Sequence, residues 1–196
     1  MKNIDMAMEA KLEKFHALYD LTKDDKTFDY FGYGDTSLLI VMRNAIHHHN
    51  DHNLFESWNA RIFLNVGLAR LSGAEFLLGS TTPEDDATTG RLYYRLDDFY
   101  KRLTHPNVRN STQLRAMWDA ELEFAAIARA GEDGGYPAEQ VYVDVMPAFI
   151  GAVRRVRNWL AAKGFSPTGY DGQTYFRFFG ELPMVQELGY RRRRLP

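Results

Sequence analysis

Residues 43–49 read Arg-Asn-Ala-Ile-His-His-His, which brings a guanidinium, a side-chain amide and three imidazoles into one short segment. A neutral imidazole, with an ordinary pKa of about 6.5, can take or give a proton near neutral pH. A guanidinium can grip two phosphate oxygens and stabilise the extra negative charge of a pentacovalent transition state. The amide can orient either partner. On a helix Arg43 and His47 stand one turn apart, as do Asn44 and His48. Where a helix ends, His48 or His49 can swing to the arginine's side. The competing reading is a solvated helix end, because histidines near a C-terminus are favoured by the helix dipole and the last carbonyls.

The elements that must position this segment are mostly helical. Met8, Leu12, Phe15 and Tyr19 recur at three- and four-residue steps, which predicts an amphipathic helix fading near Asp24 and Asp25. Gly32 and Gly34 interrupt the chain, and Asp35 or Thr36 can cap a second helix that starts at Ser37 and runs into the motif. The apolar run 38–42 could also be a short buried strand, but helix formers continue through Arg43 and Ala45 without a turn signal.

A long helix is expected over 54–78, followed by a polar loop near 80–90. Leu92, Leu96, Phe99 and Leu103 mark another helix, closed by His105 and Pro106. Ser111 opens a helix holding Leu114, Trp118, Leu122 and Ala125, which Gly131, Gly134 and Gly135 end. Pro137 suits the first turn of a last long helix through Val141, Val145, Ala148, Ala152 and Trp159, kinked or split at Pro147. The glycine- and aromatic-rich tail, 165–196, can hold a hairpin around Asp171 and Gly172. These elements predict an all-α fold, a helical bundle of about six helices with a short irregular or β-hairpin C-terminal segment. A single helical domain over residues 1–196 is the expectation for this length.

Composition narrows the function. The formal net charge of -2 excludes a protein that binds nucleic acid through its overall charge, so any such contact must be local. The absence of cysteine excludes disulfides and thiolate metal sites. The N-terminus shows no apolar signal segment, and the run 38–42 is too short to span a bilayer. A cytoplasmic protein with no membrane association is therefore expected.

The motif resembles the Arg-X4-6-His signature of the HEPN superfamily, helical proteins many of which are RNases in toxin, abortive-infection and CRISPR systems. Family members often carry asparagine directly after the arginine, as Asn44 follows Arg43. His48 matches the four-residue spacing and His49 the five-residue one, whereas Asn50 fails the six-residue version. The resemblance implies a homodimer that brings two motifs into one cleft and an RNA substrate. It also implies cleavage without metal or cofactor, by attack of the ribose 2′-hydroxyl, leaving a 2′,3′-cyclic phosphate and a 5′-hydroxyl. Arg43, Asn44, and His48 or His49 would be the catalytic residues. An antitoxin-type protein partner is a further expectation for such a chain. Some HEPN toxins place a tyrosine two residues after the histidine, used in neutralisation by nucleotide transfer; after His48 that place is Asn50.

Other constellations are weaker. His48 and His52, with Glu56, have a spacing that can share a divalent ion, but no His-Glu-x-x-His motif completes it. Asp97, Asp98, Glu121 and Glu123 lack the Glu-x-x-His repeats of a di-iron bundle and read as solvated faces. Arg154, Arg155 and Arg157, the arginines at 191–194, and the aromatics Tyr175, Phe176, Phe178 and Phe179 could attract RNA and stack bases, or serve as a solvated tail and an interface. The alternative to the nuclease is therefore a non-catalytic α-helical interaction or dimerisation protein.

Overall fold

Helix α1 (Lys2–Thr22) turns its apolar stripe inward, burying Met8, Leu12 and Phe15. Next comes α2 (Gly34–His47), buried continuously from Gly34 to Met42. The structure is a computed structural model that describes residues 2–47, 54–57, 91–182 and 190–192. The run 38–42 is helical, and apolar side chains on every side of a helix suit one enclosed by neighbours.

Further along come β1 (Tyr93–Arg95), α3 (Leu96–Leu103), α4 (Ser111–Glu121), α5 (Phe124–Asp133), a 3-10 turn (Ala138–Gln140), β2 (Val141–Asp144), α6 (Met146–Ala162), α7 (Tyr170–Glu181) and β3 (Tyr190–Arg192). The described residues are thus mostly α, with one small antiparallel sheet in the order β1-β2-β3. Tyr94 pairs with Val143, and Tyr142 with Arg191.

Helix α2 lies against α1, α3, α4 and α6, and its buried polar side chains, Asp35, Thr36 and Ser37, are all hydrogen-bonded. Asp35 receives Arg155 Nε at 3.1 Å and Nη2 at 3.2 Å. Trp118 Nε1 donates to Ser37 Oγ at 2.9 Å, and the Gly34 amide donates to Glu121 Oε2 at 2.7 Å. Thr36 Oγ1 donates to the Tyr30 carbonyl at 2.5 Å. Small residues on α6, Ala148, Gly151 and Ala152, let it approach closely; a Cβ at Gly151 would stand 2.9 Å from Asp35 Oδ2. Buried groups paired in this way cost little, whereas each would be expensive alone.

Four expectations are corrected. The helix anticipated from Leu92 begins only at Leu96, because Tyr93 and Tyr94 pair with β2. The helix anticipated from Pro137 is replaced by β2, all four of whose residues are buried, and the helix starts beside Pro147. Proline lacks an amide hydrogen and fits a first turn, while Val141, Tyr142 and Val143 suit a pleated buried strand. The Ser111 helix breaks at Glu123, which adopts φ 58° and separates α4 from α5. Around Asp171 and Gly172 the chain is helix α7, not a hairpin turn. There Arg157 of α6 stacks on Phe176 at 4.4 Å and donates from Nε to the Phe176 carbonyl at 2.8 Å.

Of the helix expected over 54–78, only 54–57 is described; it forms a turn and an isolated bridge from Ser57 to Tyr94. The polar loop near 80–90 lies outside the described residues. Buried apolar side chains from α1 through α6 form one cluster centred on Leu38, Leu39, Met42, Phe99, Trp118 and Phe124. Among the described residues no helix is long and apolar enough to cross a membrane.

Candidate functional site

Because α1 and α2 pack along their apolar stripes, the flanks of the two helices also meet. Glu13 of α1 faces Arg43 and His47 of α2. Arg43 Nη2 lies 2.8 Å from Glu13 Oε2, and Arg43 Nε lies 3.2 Å from Oε1. His47 Nδ1 stands 3.2 Å from that same Oε1. A guanidinium and an imidazole one helical turn apart therefore converge on a single carboxylate. The hydrogen bond from Arg43 is the main reason that the Glu13 carboxyl is held below its ordinary range, and Arg43 and His47 add their charge. The Arg43 side chain is 15% exposed, against 45% for Glu13, so the carboxylate is the more accessible partner.

His16 belongs to the same neighbourhood. Burial, then the positive charge of Arg43, lowers its pKa, while Asp20 opposes the shift. Its Nδ1 lies 3.2 Å from Asp20 Oδ2, and its ring meets Tyr19 edge-on at 5.5 Å. These surroundings favour the neutral form of the His16 imidazole.

On the other side of Arg43, Nη1 donates to Asn44 Oδ1 at 3.3 Å. Asn44 lines a cleft of about 710 Å³ between the α1–α2 connection and the start of α4. Val41, Leu114 and Met117 give the cleft an apolar floor, with the buried Arg102 beside them. Tyr19 and Phe31 form an aromatic edge, their rings at 6.0 Å. The segment entering α4 contributes Asn107, Arg109, Asn110 and Gln113. The Arg43–Asn44 dipeptide thus sits with its arginine on the Glu13 carboxylate and its asparagine on a polar cleft.

Of the four catalytic candidates, Arg43 and Asn44 are described and are in contact. His48 and His49 lie outside the described residues, as does His52 of the metal reading. Among the described residues no group of three or more His, Asp or Glu side chains could hold a metal ion. Sequence reasoning missed Glu13, His16, Arg102 and the 107–113 segment. Glu13 and His16 flank the apolar stripe of α1 with nothing in their spacing to distinguish them from solvated positions. The side chains Arg155 and Arg157 are committed within the fold, Arg155 to Asp35 and over the Tyr33 ring at 4.1 Å. Tyr170, Tyr175 and Phe178 of α7 remain exposed.

No protein-family model matches the chain, and no curated protein or solved structure is significantly similar to it.

Proposed function

We propose that this chain is a HEPN-like, metal-independent endoribonuclease acting as a homodimer. One observation carries the reading: Arg43 and His47 both bind one carboxylate, Glu13, in the manner in which they would bind two oxygens of a phosphodiester. A partly exposed carboxylate can leave, and a phosphodiester offers the same fork two non-bridging oxygens and an equal negative charge. In this mechanism Arg43 stabilises the charge that develops on phosphorus as the 2′-hydroxyl attacks, and Asn44 positions Arg43 and the substrate. His48, or His49, which follow His47 directly in the chain, removes the 2′-proton and returns a proton to the departing 5′-oxygen. The products are a 2′,3′-cyclic phosphate and a 5′-hydroxyl, so the reaction consumes no water in this step.

The test is RNA cleavage in EDTA by the purified chain, with end-group analysis of the products. Arg43→Ala, and His48→Ala combined with His49→Ala, should abolish cutting by 100-fold or more, on the order of the effect of removing an oxyanion donor or a general base. Activity that survives both changes removes the proposal.

A second reading is favoured by the same bidentate pair. If the Arg43–Glu13 pair serves only to tie α1 to α2, the chain is a non-catalytic helical interaction or dimerisation protein. Arg43→Ala would then lower the melting temperature, and the wild type would leave RNA uncut at every protein concentration.

A further inference from the structure

The cleft beside Asn44 has a composition that the cleavage chemistry does not require. Its volume of about 710 Å³ falls inside the range, roughly 300–1,000 Å³, that encloses a compact organic ligand. Four residues that carry side-chain amides line it, Asn44, Asn107, Asn110 and Gln113. Each amide both donates and accepts, which matches the mixed edge of a nucleobase better than a purely anionic or purely apolar ligand. Asn110 adopts φ 55° at the head of α4 and makes no capping hydrogen bond with its side chain. That amide is therefore not consumed by the helix it precedes.

Two further features restrict the ligand. Phe31, 37% exposed at the cleft edge, offers a ring face beside Tyr19 on which a base can stack. Arg109 is exposed and makes no ion pair among the described residues, so its charge is free to meet a phosphate. At the same edge the Asp29 carboxylate accepts the Phe31 amide at 2.9 Å.

We infer that this cleft binds one ribonucleotide unit, with the base between Phe31 and the amides of Asn110 and Gln113, and the phosphate at Arg109. The inference deepens the ribonuclease reading and rests on it for the direction of the strand. Asn44 touches both regions, so a nucleotide held in the cleft would deliver its neighbouring phosphodiester toward Arg43. The cleft would then set base preference, and the Arg43 corner would do the cutting.

The experiment uses the full chain and separates binding from cleavage. Fluorescence anisotropy follows binding of an eight-nucleotide single-stranded RNA made fully 2′-O-methylated, which cannot be cut by 2′-hydroxyl attack. Competition with each of the four nucleoside monophosphates shows whether free nucleotide is the source. Arg109→Ala, Gln113→Ala and Phe31→Leu should each weaken binding by about tenfold, with melting temperatures unchanged for the first two because both side chains are exposed. Lys26→Ala, which removes a charge that does not line the cleft, is the control. A monophosphate that competes as strongly as the oligonucleotide assigns the cleft to free nucleotides, and a much weaker one assigns it to RNA; both outcomes support the site. Absence of binding by oligonucleotide and monophosphates alike, or binding untouched by the three cleft variants, overturns it. RNA bound through the cleft but never cut removes only the nuclease, while RNA cut with unchanged efficiency and base preference by the cleft variants removes only the nucleotide site.

Discussion

Arg43 reaches from α2 to both carboxylate oxygens of Glu13 on α1, with Nη2 to Oε2 at 2.8 Å and Nε to Oε1 at 3.2 Å. The pair joins residues 30 positions apart and sits at the edge of the core, where water still reaches the carboxylate. It therefore holds two helices together weakly and remains exchangeable for another anion. Both consequences are measurable.

Glu13→Gln removes the charge and keeps the shape. With a partly exposed partner, the coupling between Glu13 and Arg43 in a double-mutant cycle should be about 0.5–1 kcal/mol. If the carboxylate occupies a phosphate position, the same variant should bind the uncleavable oligonucleotide more tightly than the wild type. Weaker binding by Glu13→Gln would contradict the exchange of one anion for another.

Acid should loosen the α1–α2 contact in two stages. His16 has a folded pKa below its ordinary 6.5, so the folded state resists protonation and stability falls as pH drops through that region. Glu13 is also depressed, from 4.5, and its contribution is present above that value and lost as pH falls through the folded pKa. Melting temperature should therefore decline from pH 7 toward pH 5, then decline further below 4.5. His16→Gln should flatten the first stage, and Glu13→Gln the second.

Asp35 is only 6% exposed and takes the Arg155 guanidinium. Asp35→Ala should cost about 2–4 kcal/mol, because it leaves Arg155 half-desolvated without its acceptor and opens space under α6. Arg155→Ala should cost a similar amount. Urea unfolding of the two single variants and the double variant separates the pair from the lost packing.

Gly151→Ala tests the close approach of α6 to α2. Its new methyl would fall 2.9 Å from Asp35 Oδ2, so the carboxylate or the helix must shift. A loss of about 1–3 kcal/mol is expected despite the better helix propensity of alanine. A stabilised Gly151→Ala protein would show that the helices can separate at no cost.

Trp118 joins two aromatic neighbours to a buried hydroxyl. Its ring packs against Phe99 and Phe124, and its indole nitrogen donates to Ser37. Trp118→Phe should lose about 1–3 kcal/mol, and Ser37→Ala about half as much, through the unpaired indole N–H. Near-ultraviolet circular dichroism should change in Trp118→Phe with little change in helix content.

Helices whose apolar residues follow a 3.6-residue period were readable from the chain alone. Met8, Leu12 and Phe15 define α1, and the unbroken run into Arg43 distinguishes α2 from a strand. Periodicity is a local property, and a helix that buries one stripe must display it in order. The segment 141–145 misleads for the same reason. Val-Tyr-Val-Asp-Val has apolar residues compatible with either period, and only the edges offered by β1 and β3 make residues 141–144 a strand.

The site divides along the same line. Arg43 and Asn44 announce themselves by residue type, because few segments put a fork of donors next to an amide and a histidine triplet. Glu13, His16, Arg109 and Gln113 carry no such signal. Their meaning arises where α1, α2 and the entrance to α4 cross, bringing together charges and amides that lie tens of residues apart. Interactions of that range depend on helix crossing and burial, which no local pattern encodes. Residue chemistry nominated the arginine; packing chose its partner.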